Sequence, residues 1–108
     1  MTSTFVNELR ARGEPMRMVA DGAPSITVRV EMAEVWDTVK AIVSPEEPVL
    51  GLKVRALAAL YPSGDFHEEF VLKLKGWEVL DEDVSLAAAG AIDGSIFLLT
   101  HRSRRPVR

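Results

Sequence analysis

A chain of 108 residues, of which 47% are hydrophobic and 27% charged, suits a single domain with a core of ordinary size. Its formal net charge of −3 argues against a general nucleic-acid binder. The absence of cysteine excludes disulfides, a thiol nucleophile and thiolate metal sites, and the lack of a membrane-length apolar run or secretory signal leads us to expect a cytoplasmic protein.

The first 24 residues show no sustained periodicity. Phe5, Val6 and Leu9 have the spacing of one amphipathic helical turn, but glycines and prolines between Gly13 and Pro24 break any longer pattern. We interpret residues 1–24 as an irregular extension, followed by a domain over residues 25–101 and a basic tail over residues 102–108.

Two strands are predicted at the start of the domain because every second residue is apolar. The first begins near Ser25 and the second runs from about Trp36 to Val43. Their apolar positions are Ile26, Val28, Val30 and Met32, then Val39, Ala41 and Val43.

An amphipathic helix is predicted after Pro48, because prolines and acidic residues favour helix N-termini. Its apolar stripe consists of Val49, Leu52, Ala56, Leu57 and Leu60. Pro62 and Gly64 end the pattern.

The last third of the chain predicts three more strands. They span Phe70 to Leu74, Trp77 to Leu80 and Ser95 to Thr100, with a short helical turn between Ser85 and Ala89 before the last. One helix must bury its stripe against one sheet, which predicts a two-layer α+β domain. We expect Val30, Val39, Leu57, Leu72, Leu80, Leu86 and Leu99 in the core.

The segment "KLKGWEVLDEDVSLAAAGAIDGSIFLLTHRSR" resembles the ubiquitin-like family in its turns, acidic residues, Ser-Leu pair and final strand. The element order over about residues 25–104 is similar too, and small bacterial ubiquitin-like proteins have the same outline. The resemblance implies a β-grasp fold, in which a mixed five-stranded sheet packs on one α-helix.

The resemblance also implies an interaction patch on the outward face of the sheet. Leu74 falls on the isoleucine at the centre of that patch, while Leu98 and Thr100 fall on two of its other members. Lys53 falls on a partly buried helix lysine of the family. Trp77 lies next to a turn glycine, and its ring either covers the edge of the core or anchors a partner protein.

The C-terminus departs from the family's modifiers, which end in Gly-Gly. Here the aligned residues are Arg105 and Pro106, so an activating enzyme would not find a side-chain-free tail. Arg102, Arg104 and Arg105 instead form a basic segment for an acidic partner, or a solvated tail.

No catalytic, metal-binding or cofactor-binding residues are expected. His67 and His101 have no second ligand type at metal spacing, and Asp81, Glu82 and Asp83 lack the alternate spacing of a calcium loop, so we interpret the three acids as a solvated turn.

The sequence therefore predicts a non-catalytic module that binds another protein, as an adaptor or accessory subunit of a larger bacterial assembly. The partner-binding residues would be Leu74, Trp77, Leu98, Thr100, Arg102, Arg104 and Arg105. Two alternatives stay open, namely a covalent modifier with an atypical or processed C-terminus and a small noncatalytic subunit of a multicomponent oxygenase.

Overall fold

The computed structural model describes residues 15–62 and 67–102, in which one mixed sheet packs against one long helix. The strands are β1 (Met16–Arg17), β2 (Ile26–Met32), β3 (Asp37–Val43), β4 (Phe70–Leu74), β5 (Trp77–Glu78) and β6 (Ile96–His101). The helices are α1 (Val49–Leu60) and the four-residue α2 (Leu86–Ala89). Short 3-10 turns occupy Ala33–Val35 and His67–Glu69.

The strand order across the sheet is β1-β3-β2-β6-β4-β5. β2 and β3 form an antiparallel hairpin, and β6 lies between β2 and β4, parallel to the first and antiparallel to the second. The α+β β-grasp fold expected from the sequence is confirmed, although the sheet in the described residues has six strands rather than five.

The core lies between α1 and one face of the sheet. Alternation along the strands places Val30 opposite both Val39 and Phe97, and all three side chains are buried. The predicted helix stripe is buried throughout, and its members are Val49, Leu52, Ala56, Leu57 and Leu60. Two periodicities, of about 3.6 and 2 residues, therefore meet in one apolar layer.

The sixth strand comes from the segment that the sequence interpretation treated as irregular. Met16 and Arg17 pair parallel to Ala41 and Ile42 of β3, so part of residues 1–24 belongs to the sheet. A strand of two residues is too short for periodicity to show it, since apolar alternation needs about four residues to stand out. The amphipathic turn predicted at residues 5–9 lies outside the described residues.

The loop after β5 caps the N-terminus of α1. The backbone amides of Val49 and Leu50 donate to the carbonyl oxygens of Val84 and Glu82, each at 2.9 Å. The first amides of a helix have no partner within it, so these carbonyls supply the missing acceptors. The same loop is thereby fixed against the helix, which positions the side chain of Glu82 as described below.

Leu80 was expected in the core, and this prediction is wrong because its side chain is 84% exposed. β5 ends at Glu78, two residues earlier than expected, and Val79 is the residue that packs against the core. The amide of Val79 donates to the carbonyl oxygen of Leu72 at 2.9 Å, which turns Leu80 outward.

The short helical turn predicted between Ser85 and Ala89 is confirmed, and Ser85 caps it. The Ser85 hydroxyl accepts a hydrogen bond from the amide of Ala88 at 3.0 Å. Gly90 then ends α2 with φ of 103°, in the left-handed region that favours glycine.

Candidate protein-interaction surface

The sheet face opposite α1, here called the outer face, carries the side chains that alternate with the core residues. The middle of this face is apolar, because it is formed by Ile96 and Leu98 of β6. These two residues are 49% and 38% exposed. Leu98 lies opposite Lys73 of β4 on one side and opposite Glu31 of β2 on the other. An exposed apolar strip bordered by charges is a common composition for a protein-binding surface.

Trp36 lies beside this strip, at the end of the β2–β3 hairpin, and its side chain is 91% exposed. It lines a concavity of about 370 Å³ together with Glu31, Thr38 and Leu98. Its backbone is left-handed, with φ of 53° and ψ of 45°. That conformation costs a bulky residue about 1 kcal/mol, and the exposed indole adds no core packing in return.

Sequence reasoning missed Trp36, which it placed at the start of the second strand. The available signal was a tryptophan in the connection of a hairpin, where small polar residues or glycine are favoured. The amide of Trp36 donates to the carbonyl oxygen of Ala33 at 3.1 Å, closing the turn that presents the ring.

Leu98 faces outward as expected, but the predicted outward orientation of Leu74 is wrong. Leu74 is 7% exposed and pairs with the buried Phe97, so it points towards α1. The alignment was displaced by one residue, and a one-residue displacement moves a strand side chain to the opposite face. Lys73 occupies the outward position instead. The error was visible in the sequence, because Leu74 and the core residue Leu72 are two apart and share a face.

The expected patch is consequently divided between two faces. Trp77 lies directly opposite Leu74, which places it on the helix side at the edge of the sheet. Its ring is 79% exposed and lines a separate concavity of about 320 Å³ with Leu74, Val79 and Ala89. The structure thus brings Leu98 and Thr100 together on the outer face and leaves Trp77 on the other side.

Thr100 and the end of β6 are joined to the β2–β3 connection by Glu34. Its carboxylate accepts hydrogen bonds from Thr100 Oγ1 at 2.7 Å and from the backbone amide of His101 at 3.1 Å. Partial burial by itself raises the pKa of Glu34, but these two hydrogen bonds, together with one from its own backbone amide and the electrostatic effect of His101, outweigh it, so the pKa lies below its ordinary value. The contact holds the hairpin that carries Trp36 against β6.

The first arginine of the basic tail is attached to its own domain. The Arg102 amide donates to the carbonyl oxygen of Glu69 at 2.7 Å, and its Nε donates to that of Glu68 at 3.1 Å. Its guanidinium also lies 3.4 Å from the carboxylate of Glu78. Arg104 and Arg105 lie outside the described residues.

Glu82 of the acidic turn forms a salt bridge with a buried lysine, which corrects the interpretation of all three acids as a solvated turn. Lys53 of α1 is 1% exposed, and its ammonium donates to both carboxylate oxygens of Glu82 at 2.8 and 2.9 Å. It also donates to the carbonyl oxygen of Phe70 at 3.0 Å. This buried cation is fully engaged within the domain, so its role is structural.

The histidines show no arrangement for metal binding within the described part of the chain. No cluster of three or more potential ligands occurs in residues 15–62 and 67–102. The His101 ring packs edge-on against Phe70, with ring centroids 4.3 Å apart. Across the same ranges, no helix is long and apolar enough to cross a membrane.

Together, the sheet order, the long packed helix and the parallel return of β6 beside β2 define the ubiquitin-like β-grasp fold. No protein-family model and no curated protein sequence matches the chain.

Solved structures give the same assignment. A ubiquitin-like domain from Arabidopsis thaliana has 18% identity and a TM-score of 0.63, and the match covers 84% of this chain and 92% of that domain. The ubiquitin of Caldiarchaeum subterraneum has 18% identity and a TM-score of 0.62, covering 75% and 98%. The ubiquitin-like domain of Plasmodium falciparum Dsk2 has 22% identity and a TM-score of 0.59, covering 73% and 100%. Identities this low establish the fold alone.

Proposed function

We propose that this protein is a non-catalytic interaction module that binds another protein through its outer face, as an adaptor or accessory subunit of a larger assembly. The observation that carries the proposal is the exposed Trp36 ring beside Leu98, at the border of a concavity on a face that α1 does not cover. Tryptophan is among the residues that most often dominate binding energy at the centre of an interface.

The surroundings of Trp36 support its role as an anchor. Leu98 and Ile96 extend the apolar area along β6, while Glu31 and Lys73 border it on neighbouring strands. An interface of this composition has an apolar centre and a charged rim, which is the usual arrangement in protein complexes. The partner would therefore place apolar side chains along β6 and enclose the indole of Trp36.

The experiment compares four variants that form two matched pairs. Trp36→Ala and Leu98→Asp change the outer face, while Trp77→Ala and Leu80→Asp make the same substitutions at exposed positions elsewhere. Each tagged variant is expressed in the native host, and its co-purified proteins are quantified by mass spectrometry. Circular dichroism verifies that every variant is folded.

We expect specific partners to be lost from both outer-face variants and kept by both controls. Loss of an anchor worth about 2 kcal/mol weakens binding roughly 30-fold, which calorimetry with the purified partner measures directly. Loss of the partners from the Trp77→Ala variant alone would move the interface to the helix side, where the sequence also placed a candidate residue. That result would refute the outer-face proposal.

A further inference from the structure

The concavity beside Trp36 carries negative charge. Among the described residues that line it are two acids, Glu31 and Asp37, and no lysine, arginine or histidine. Glu31 lies opposite Thr38 and Leu98, so its side chain projects from the outer face with theirs. The Asp37 carboxylate accepts a hydrogen bond from the Thr38 amide at 2.8 Å, so it adds charge while one of its oxygens is engaged. A site of this composition favours a positively charged group.

Glu31 supplies the carboxylate that a ligand could reach. Within residues 15–62 and 67–102, its side chain makes no hydrogen bond and no ion pair, although it is half-buried. Arg29 precedes it by two residues on the same face, and Lys73 lies beyond Leu98, two strand spacings or about 10 Å away. A half-buried carboxylate is less screened by water than an exposed one, so a cation placed beside it is held more strongly.

The remaining walls suit a planar cation. The Trp36 ring is 91% exposed and lines the concavity, which leaves the indole open to a ligand. The Thr38 hydroxyl donates to the Val30 carbonyl oxygen at 3.0 Å, so towards the concavity its oxygen can only accept. A guanidinium stacks on an aromatic face and has five N–H donors for the surrounding oxygens.

The second exposed tryptophan has different surroundings. The concavity beside Trp77 is lined by a cation, Lys75, as well as by Glu78 and Asp81. The Glu78 carboxylate already lies 3.4 Å from the guanidinium of Arg102. Trp77 is therefore an internal comparison, a similarly exposed indole whose neighbouring acid has a counter-charge within the domain.

We propose that the concavity beside Trp36 binds an arginine side chain of the partner protein. The guanidinium stacks on the Trp36 ring and donates to the Glu31 carboxylate, while the aliphatic part of the arginine covers Leu98. This inference rests on the proposed function, since it names the residue that the partner presents to the outer face. Lysine has the charge without the planar donor group, so it binds less well.

The test is an NMR titration of the full-length chain with acetyl-Leu-Arg-Leu-Gly amide. Two control peptides replace arginine by lysine or by citrulline, which has nearly the same shape as arginine but no charge. The two indole N–H signals report on Trp36 and Trp77 separately, and a Trp77→Phe variant assigns them. We expect saturable shifts of the Trp36 indole and of the Glu31 and Leu98 amides, with the Trp77 indole unchanged. Affinity should fall from arginine to lysine, and about tenfold from arginine to citrulline.

A matched pair of variants tests the role of the carboxylate. Glu31→Gln should weaken the arginine peptide about fivefold and leave the citrulline peptide unaffected. Glu46→Gln removes the same charge from an exposed position in the loop before α1 and should change neither affinity. The amide spectrum of each variant verifies its fold.

Four results would each overturn the inference: no shift of the Trp36 indole, equal shifts of both indoles, equal affinity for the arginine and citrulline peptides, or equal effects of the two glutamine variants. None of them depends on the native partner. If the peptide results fail while Trp36→Ala still loses the co-purified proteins, the proposed function stands and the arginine assignment falls. If arginine binds as expected while Trp36→Ala keeps those proteins, the proposed function is the part that fails.

Discussion

Replacing Glu82 by alanine is expected to destabilise the domain more than removing its buried partner Lys53. In the native fold the Lys53 ammonium is 1% exposed and has three acceptors, two on Glu82 and one on the carbonyl of Phe70. The Glu82→Ala variant keeps the positive charge in place and removes two of these acceptors. A buried charge without its counter-charge is among the most costly defects a fold can carry.

The exposed fractions of the Lys53 and Glu82 side chains determine how much stability each substitution should cost. Removing one member of a fully buried pair costs about 3–5 kcal/mol, and the Glu82 side chain is 20% exposed, so water reaches part of the vacated space. We therefore expect about 3 kcal/mol for Glu82→Ala. In Lys53→Met the ammonium leaves together with its desolvation cost, and the Glu82 carboxylate that loses its counter-charge is 20% exposed, so solvent stabilises it in part. The main remaining loss is one hydrogen bond to the Phe70 carbonyl, about 1 kcal/mol net.

Urea unfolding followed by far-ultraviolet circular dichroism measures both values. Tryptophan fluorescence is a poor alternative, because Trp36 and Trp77 are already 91% and 79% exposed in the folded state. The Lys53→Met/Glu82→Ala double variant should resemble Lys53→Met rather than show the sum of the two effects. A Lys53→Met variant that loses as much stability as Glu82→Ala would refute the reasoning, since it would show that the pair itself stabilises the fold.

Two further predictions concern the core and the hairpin contact. Leu57→Ala should lower the free energy of unfolding by about 2–5 kcal/mol, because Leu57 is 5% exposed within the core, and a urea midpoint shift worth less than about 1 kcal/mol would contradict this. Because the folded-state pKa of Glu34 is lowered, its hydrogen bonds stabilise the fold above the unfolded-state pKa, and this stability is lost as the pH falls through the folded-state value. Thr100→Val should thus cost up to about 1 kcal/mol at pH 7 and less at acidic pH, and a cost that is the same at both pH values in thermal unfolding would count against the contact.

The central part of the fold was predictable because a strand or helix that buries one face needs apolar residues at regular intervals along the sequence. Val30, Val39 and Leu57 are apolar at positions where a strand or helix must face the core, and all three are buried. β1 was not predictable, since Met16 and Arg17 form only a two-residue strand and depend on pairing with β3 rather than on local pattern. The position of Leu80 depended on where β5 ends, and strand ends are decided by loop contacts that the sequence does not display.

The candidate surface was predictable only in part. Leu98 could be placed outward because its neighbour Leu99 had to face the core. Leu74 was misplaced because a family alignment with short turns can shift by one residue without any visible gap. Trp36 was missed because its exposure follows from the turn that positions it, and Glu82 was missed because its partner Lys53 is 29 residues away in sequence.

Because Lys53 is buried, the rate at which its amine reacts with a reagent depends on how often the domain opens. The other lysines, Lys40, Lys73 and Lys75, lie on strands or turns that solvent reaches, so an amine-reactive reagent would label them in the native state. The Lys53 amine is covered by Glu82 and by the Phe70 carbonyl, and it can react only while α1 and the loop after β5 are separated. The rate at which this one amine acquires a label, read from a single proteolytic peptide, would therefore report how often the domain opens, with no introduced probe.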